Sequence, residues 1–125
     1  MKYDPVNHPK HYVEQAAQLE PIAVLRYAPF DLGNAFKYII RAGHKDDYLQ
    51  DLKKARWYLD CAEKTYESSD ESIRWCYSNF FKTYGLILMS FKNVPEICLE
   101  QDTIMIIQSY LDVMDRRINE AKNSH

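Results

Sequence analysis

Residues that break helices are scarce in this chain. Three glycines serve 125 residues, and four of the five prolines, Pro5, Pro9, Pro21 and Pro29, fall before residue 30. Beyond that point few positions force a helix to stop, so long helices are expected. No apolar run approaches the ~20 residues that a membrane span needs, so no membrane partner is expected. A charged-then-apolar leader is also missing, which argues against secretion. Cys61, Cys76 and Cys98 are odd in number, widely spaced and without a CxxC pair. They read as buried thiols of a reducing cytoplasm, and their spacing does not suit zinc. No GxxxxGK[ST] phosphate loop occurs. An excess of positive charge is lacking too: the net charge is −2. Broad, non-specific nucleic-acid binding is therefore disfavoured, and any basic site must be local.

What remains is a globular composition, 46% hydrophobic and 27% charged, with room for a real core. The expected fold is all-α: a compact bundle of about four main helices preceded by an extended N-terminal arm. One domain is expected over residues 1–125, with residues 1–68 holding the chemistry and residues 69–125 acting as helical scaffold and oligomerisation half. Ten tyrosines, five phenylalanines and two tryptophans supply core area, or stacking surfaces for a base.

The most informative stretch runs from Asp31 to Lys45. At helical spacing, Leu32, Ala35, Phe36, Ile39 and Ile40 make an apolar stripe. Asn34, Lys37, Tyr38, Arg41 and Lys45 make a second stripe on another side. It carries three cations, two neutral hydrogen-bonding groups and no carboxylate. A solvated face in a slightly acidic protein would mix the signs. This one suits a planar or anionic ligand with several phosphate oxygens, since Arg binds bidentately and Lys adds point charge. The competing reading is a basic face that only aids solubility. Asp31 is expected to cap this helix and Gly43 to stop it.

The arm before it is dense in hydrogen-bonding groups. Asn7, His8, Lys10, His11 and Tyr12 crowd around Pro5 and Pro9, which favour extended geometry. The arm reads as a lid that brings imidazoles and an ammonium to a phosphate, or as a strap packed on the surface. As a metal site, His-x-x-His without a third ligand is weak. Pro21 opens a short helix to about Ala28, with Ile22, Leu25 and Ala28 inward.

After a polar turn, a helix from about Asp47 to Ser68 carries Leu52, Ala55, Leu59, Ala62 and Tyr66 as a seam. Beside it lie Asp51, Lys54 and Tyr58, with Trp57 adjacent. A short turn makes the two helices an antiparallel hairpin that brings the two polar stripes together. Asp51 then either orients Lys37 or Arg41 or bonds to a base or ribose. Residues 68–72 read as a linker, with Asp70 or Ser69 capping the next helix, about 71–91. Ile73, Cys76, Phe80, Tyr84 and Ile87 would face inward there, and Gly85 would weaken it midway. A last helix, about 101–122, repeats Ile104, Ile107, Leu111, Met114, Ile118 and Ala121. Met105, Tyr110 and Val113 widen its apolar arc, which suggests a second chain: a homo-oligomer, most simply a dimer, with the site near the subunit junction.

Three blocks, Asn7-His8-Pro9-Lys10-His11-Tyr12, Gly33 to Gly43 followed by Lys45, and Asp51 to Leu59, resemble a small bacteriophage family. It is described either as a domain of unknown function or as a phage nucleotide kinase, and a relative from phage T7 is credited with phosphorylating dGMP and dTMP. The likeness covers about residues 5–60. It implies Asn7, His8, His11, Tyr12, Asn34, Lys37, Arg41, Lys45, Asp51 and Lys54 as functional residues, in the cytoplasm of an infected bacterial host. A kinase would need ATP and, commonly, magnesium held by carboxylates or a P-loop hydroxyl, and neither motif is visible. Lys37, Arg41, Lys45 and Lys54 could neutralise transferred charge without it. A binder needs only the cationic stripe, a stacking aromatic such as Tyr12, Tyr38 or Trp57, and an arm or second chain to close the site. The leading expectation is therefore capture of a phosphate-bearing nucleotide with no cofactor required, in a phage setting the sequestration of a host immune signal. Deoxynucleoside monophosphate kinase is the alternative. A helical module that inhibits a protein or binds nucleic acid is the third.

Overall fold

The computed structural model describes residues 20–43 and 47–124. They form five helices and, among the described residues, no strand: α1 (Ile22–Leu25), α2 (Phe30–Arg41), α3 (Tyr48–Ser68), α4 (Glu71–Leu88) and α5 (Thr103–Asn123). The all-α expectation holds.

Local chemistry sets the boundaries. Pro29, extended at ψ 147°, stands at the N-cap of α2, so the helix starts two residues earlier than a cap at Asp31 would have it. Asp31 lies instead in the first turn, where a carboxylate meets the positive end of the helix. Its Oδ1 accepts from the Leu32 N–H at 2.8 Å. Gly43, at φ 92°, takes the left-handed conformation that ends α2. Asp47 caps α3 by accepting from the Gln50 N–H at 2.9 Å. Asp70 caps α4 through the Ser72 and Ile73 amides, and the Ser72 hydroxyl, which donates to it at 2.7 Å, together with those amides holds its carboxyl below the usual range.

A continuous apolar seam lies on α3. Leu52, Ala55, Leu59 and Ala62 are fully buried, and the helix packs chiefly against α2 and α5. Alternating Leu and Ala lets neighbouring backbones approach closely. Arg56 Nε adds a bond to Asp115 Oδ1 at 2.6 Å across the α3–α5 interface. Both side chains are partly exposed, so this link contributes little.

At the centre three rings from three helices meet. Phe36 of α2 lies edge-on to Tyr110 of α5 at 4.9 Å and to Phe81 of α4 at 6.3 Å. Phe81 and Tyr110 stack at 6.2 Å. Edge-to-face and stacked pairs each exceed simple area burial by ~0.5–1.5 kcal/mol. Tyr27, between α1 and α2, stacks on Tyr84 at 5.4 Å and brings the first turn onto α4.

Four expectations, most of them about the second half, are corrected. The buried face of α4 is Tyr77, Phe80, Phe81, Ile87 and Leu88, whereas Ile73 and Cys76 are exposed. The helix is rotated because the Phe81 ring is drawn into the Phe36 cluster and Tyr77 to Asp31. Cys98 is also exposed and Cys61 half-buried, so the thiols are not core residues. On α5, Tyr110 is fully buried against its own chain, which removes it from the argument for a second subunit. Met105 remains exposed. Gly85 does not interrupt α4. A Cβ there would stand 2.8 Å from Leu99, so the glycine admits the chain that crosses the helix.

Truncating Phe36 removes one member of two of the three pairs in the cluster. Phe36→Ala should cost about 3–5 kcal/mol, read as a fall in the urea midpoint, and a loss under 1 kcal/mol would mean that the rings are not the core's centre. Alkaline stability offers a second check. Burial, then the bond to Asp31, pushes the Tyr77 phenol well above its ordinary range, and burial alone does so for Tyr110. Both folded pKa values exceed the unfolded value of about 10. The stabilisation is therefore complete below about pH 10 and declines as pH rises further, because the unfolded chain ionises first. Tyr77→Phe should flatten that decline in denaturation midpoints taken between pH 9 and 11.

Candidate functional site

The apolar stripe of α2 fixes which way its polar residues point. Leu32, Ala35, Phe36 and Ile39 are fully buried. Asn34, Lys37 and Arg41 then form an outward ridge, with Lys37 and Arg41 exposed. Tyr38 sits on the flank toward α3. Its contacts bear out an antiparallel α2–α3 pair: Arg41 meets Asp51, Tyr38 meets Lys54 and Tyr58, and Phe30 meets Tyr58.

Tyr38 is where the charges converge. Lys37 Nζ lies 4.7 Å from its ring centroid, Lys54 Nζ 5.3 Å and the Arg41 guanidinium 5.9 Å. The ring is stacked on Tyr58 at 6.1 Å and 10°. Trp57 stands edge-on to Tyr58 at 5.1 Å and is largely exposed. Cation–π attraction holds each charge near the ring, yet three like charges so close repel one another. An anion that neutralised them would gain from all three.

One carboxylate faces this group. Asp51 is buried, and its Oδ2 lies 3.7 Å from Arg41 Nε. That distance is an ion pair rather than a hydrogen bond. Arg41 therefore keeps guanidinium N–H groups for another acceptor, and Asp51 orients it, which is the plainer of its two expected roles. Arg41 also lies in the last turn of α2, where the helix dipole favours a cation. Asn34 turns back on its own helix, donating from Nδ2 to the Phe30 carbonyl at 2.8 Å.

On the other flank of the ridge lies an open groove of about 740 Å³, within the size range of small-molecule sites. Ile22, Leu25, Ala28, Phe30 and Ile40 give it an apolar wall, and Arg26 of the α1 side joins Asn34, Lys37 and Arg41 as its polar residues. Ile22 and Phe30 are strongly exposed.

The structure thus brings together Lys37, Tyr38, Arg41, Asp51, Lys54, Trp57 and Tyr58, with Asn34 beside them. The expected site residues Asn7, His8, Lys10, His11, Tyr12 and Lys45 lie outside the described residues. Among the described residues no cluster of His, Cys, Asp and Glu has the arrangement of a metal site.

Sequence reasoning missed one contributor, Asn93, in the connection between α4 and α5. Its Nδ2 donates to the Ile40 carbonyl at 3.1 Å and the Ala42 carbonyl at 2.5 Å. Two orphan acceptors at the end of the ridge helix are thereby satisfied from 51 or more residues away. Asn93 has φ 70°, a conformation that Asn tolerates better than most residues. Its own carbonyl accepts from Arg117 Nη1 at 2.6 Å, which ties the clamp to α5. The only local signal was an Asn in a break before proline, and its partner is visible only in three dimensions.

Comparison with known proteins adds one match. Residues 6–60 match a family described as proteins of unknown function, DUF3310. No curated protein and no solved structure matches the chain. The matched segment contains all the expected site residues, arm included, and leaves out Asn93.

Loss of the clamp should be measurable. Asn93→Ala leaves two carbonyls short of a partner, so a destabilisation of about 1–3 kcal/mol is expected in urea denaturation. Amide exchange should quicken first over residues 40–43. Unchanged exchange there would show that the end of α2 is held by other contacts.

Proposed function

We propose that this chain captures a phosphate-bearing nucleotide on the ridge and aromatic flank of α2 and α3. The observation that carries the reading is the convergence of Lys37, Arg41 and Lys54 on the Tyr38 ring. Phosphate oxygens meet the cations there, and the exposed face of Trp57 beside the Tyr38–Tyr58 stack offers a base a π surface. The charge is local in a chain of net −2, which favours a small ligand over long nucleic acid. Capture is favoured over phosphoryl transfer because Asp51, the carboxylate at the site, is buried against Arg41 and is committed to orienting it. In the phage setting that the resemblance implies, the use of such capture is to withhold a nucleotide signal from host defence. Closure of the site by the N-terminal arm, in the same subunit or across a homo-oligomer, belongs to this proposal.

Calorimetry with nucleotides of increasing phosphate number tests the reading. Arg41→Ala should weaken binding by about 2–4 kcal/mol, as expected for a charge-assisted contact removed from water. Lys82→Ala, an exposed cation on α4, should change it by less than 0.5 kcal/mol. Equal losses would reduce the ridge to a solvated basic face. Incubation with ATP and each nucleoside monophosphate settles the chemistry: ligand recovered intact after denaturation supports capture, and a labelled diphosphate product establishes a kinase.

A further inference from the structure

The ridge of α2 has two different flanks, and among the described residues both expose large apolar or aromatic side chains. At about 100° per residue, Phe30, Asn34, Lys37 and Arg41 share one outward sector of the helix. Gly33 and Ile40 fall to one side of that sector and Tyr38 to the other. On the Gly33 and Ile40 side the apolar groove runs against α1, with Ile22 67% and Phe30 80% exposed. On the Tyr38 side stand the Tyr38–Tyr58 stack, Lys54 and Trp57, the last 62% exposed. A single cationic ridge thus separates two apolar or aromatic surfaces, and Lys37 and Arg41 border both.

A mononucleotide has one base. With its phosphate on the ridge it covers one flank and leaves the other large apolar surface in water, which is unfavourable for exposed side chains of this size. A ligand with a planar group at each end and phosphates between them covers both flanks and neutralises the ridge. Resting on the function proposed above, we infer that the ligand is a dinucleotide: two nucleosides joined through phosphate, one base in the α1–α2 groove and the other against Trp57 beside the Tyr38–Tyr58 stack. Asn34, Lys37 and Arg41 stand between the two flanks and face the linkage, Arg26 adds a cation at the groove, and the rest of the groove lining is apolar. Linear and cyclic dinucleotides share this chemistry.

Titration calorimetry on the full chain distinguishes the cases. The probes are ADP, the linear dinucleotide pApA and cyclic di-AMP, each carrying two phosphates, and the same three in guanine. At least one dinucleotide should bind tenfold or more tightly than the diphosphate of the same base. Ile22→Asp and Trp57→Ala, both at exposed positions that the core does not need, should each weaken that dinucleotide at least fivefold. The mononucleotide should respond to at most one of them. Equal affinity for one-base and two-base ligands overturns the inference and leaves nucleotide capture standing. So does a dinucleotide preference that survives either variant. Failure of all six probes to bind overturns nucleotide capture itself, and the inference falls with it.

Discussion

The site depends on how Phe36 is buried. Its ring meets Phe81 from α4 and Tyr110 from α5, and each contact fixes the rotation of α2 about its axis. Rotation matters more here than position. Turning a helix by one residue carries every side chain about 100° round, so a slip in this core would turn Lys37 and Arg41 away from α3. The aromatic contacts that stabilise the bundle also aim its charges.

Those charges are held in an unfavourable arrangement. Three cations share one tyrosine ring, and the lone buried carboxylate nearby is bonded to none of them closely enough to remove a donor. The fold supports this through the apolar seam of α3, where Leu52, Ala55, Leu59 and Ala62 keep Lys54 and Tyr58 in register with Tyr38. This convergence of charge is what directs the reading toward electrostatic capture. Catalysis of phosphoryl transfer needs charge neutralisation as well, but also a geometry that aligns two phosphates.

The second half of the chain lies outside the matched residues 6–60, yet it shapes the site. Phe81 and Tyr110 seat the ridge helix, Tyr77 donates to Asp31 at its first turn and Asn93 clamps its last. Both ends of α2 are thus tied to segments more than 45 residues away. Substitutions there should reach the ligand surface without touching a ligand.

Helical periodicity, scarce glycine and early prolines were enough to read the all-α class, the positions of α2, α3 and α5, a cap of α4 at Asp70 or Ser69, and the stop at Gly43. The polar stripe of α2 and its meeting with Asp51, Lys54 and Tyr58 were also legible, because spacing along a helix and a short turn between two helices are local properties. The buried face of α4 was not, since its sequence is apolar on several sides and only the Phe36 cluster selects which side turns inward. Tyr110 looked like surplus for the same reason. Asn93 and the groove against α1 were beyond reach of any local pattern: each arises where segments distant in sequence meet, and such meetings are decided by how the whole core packs.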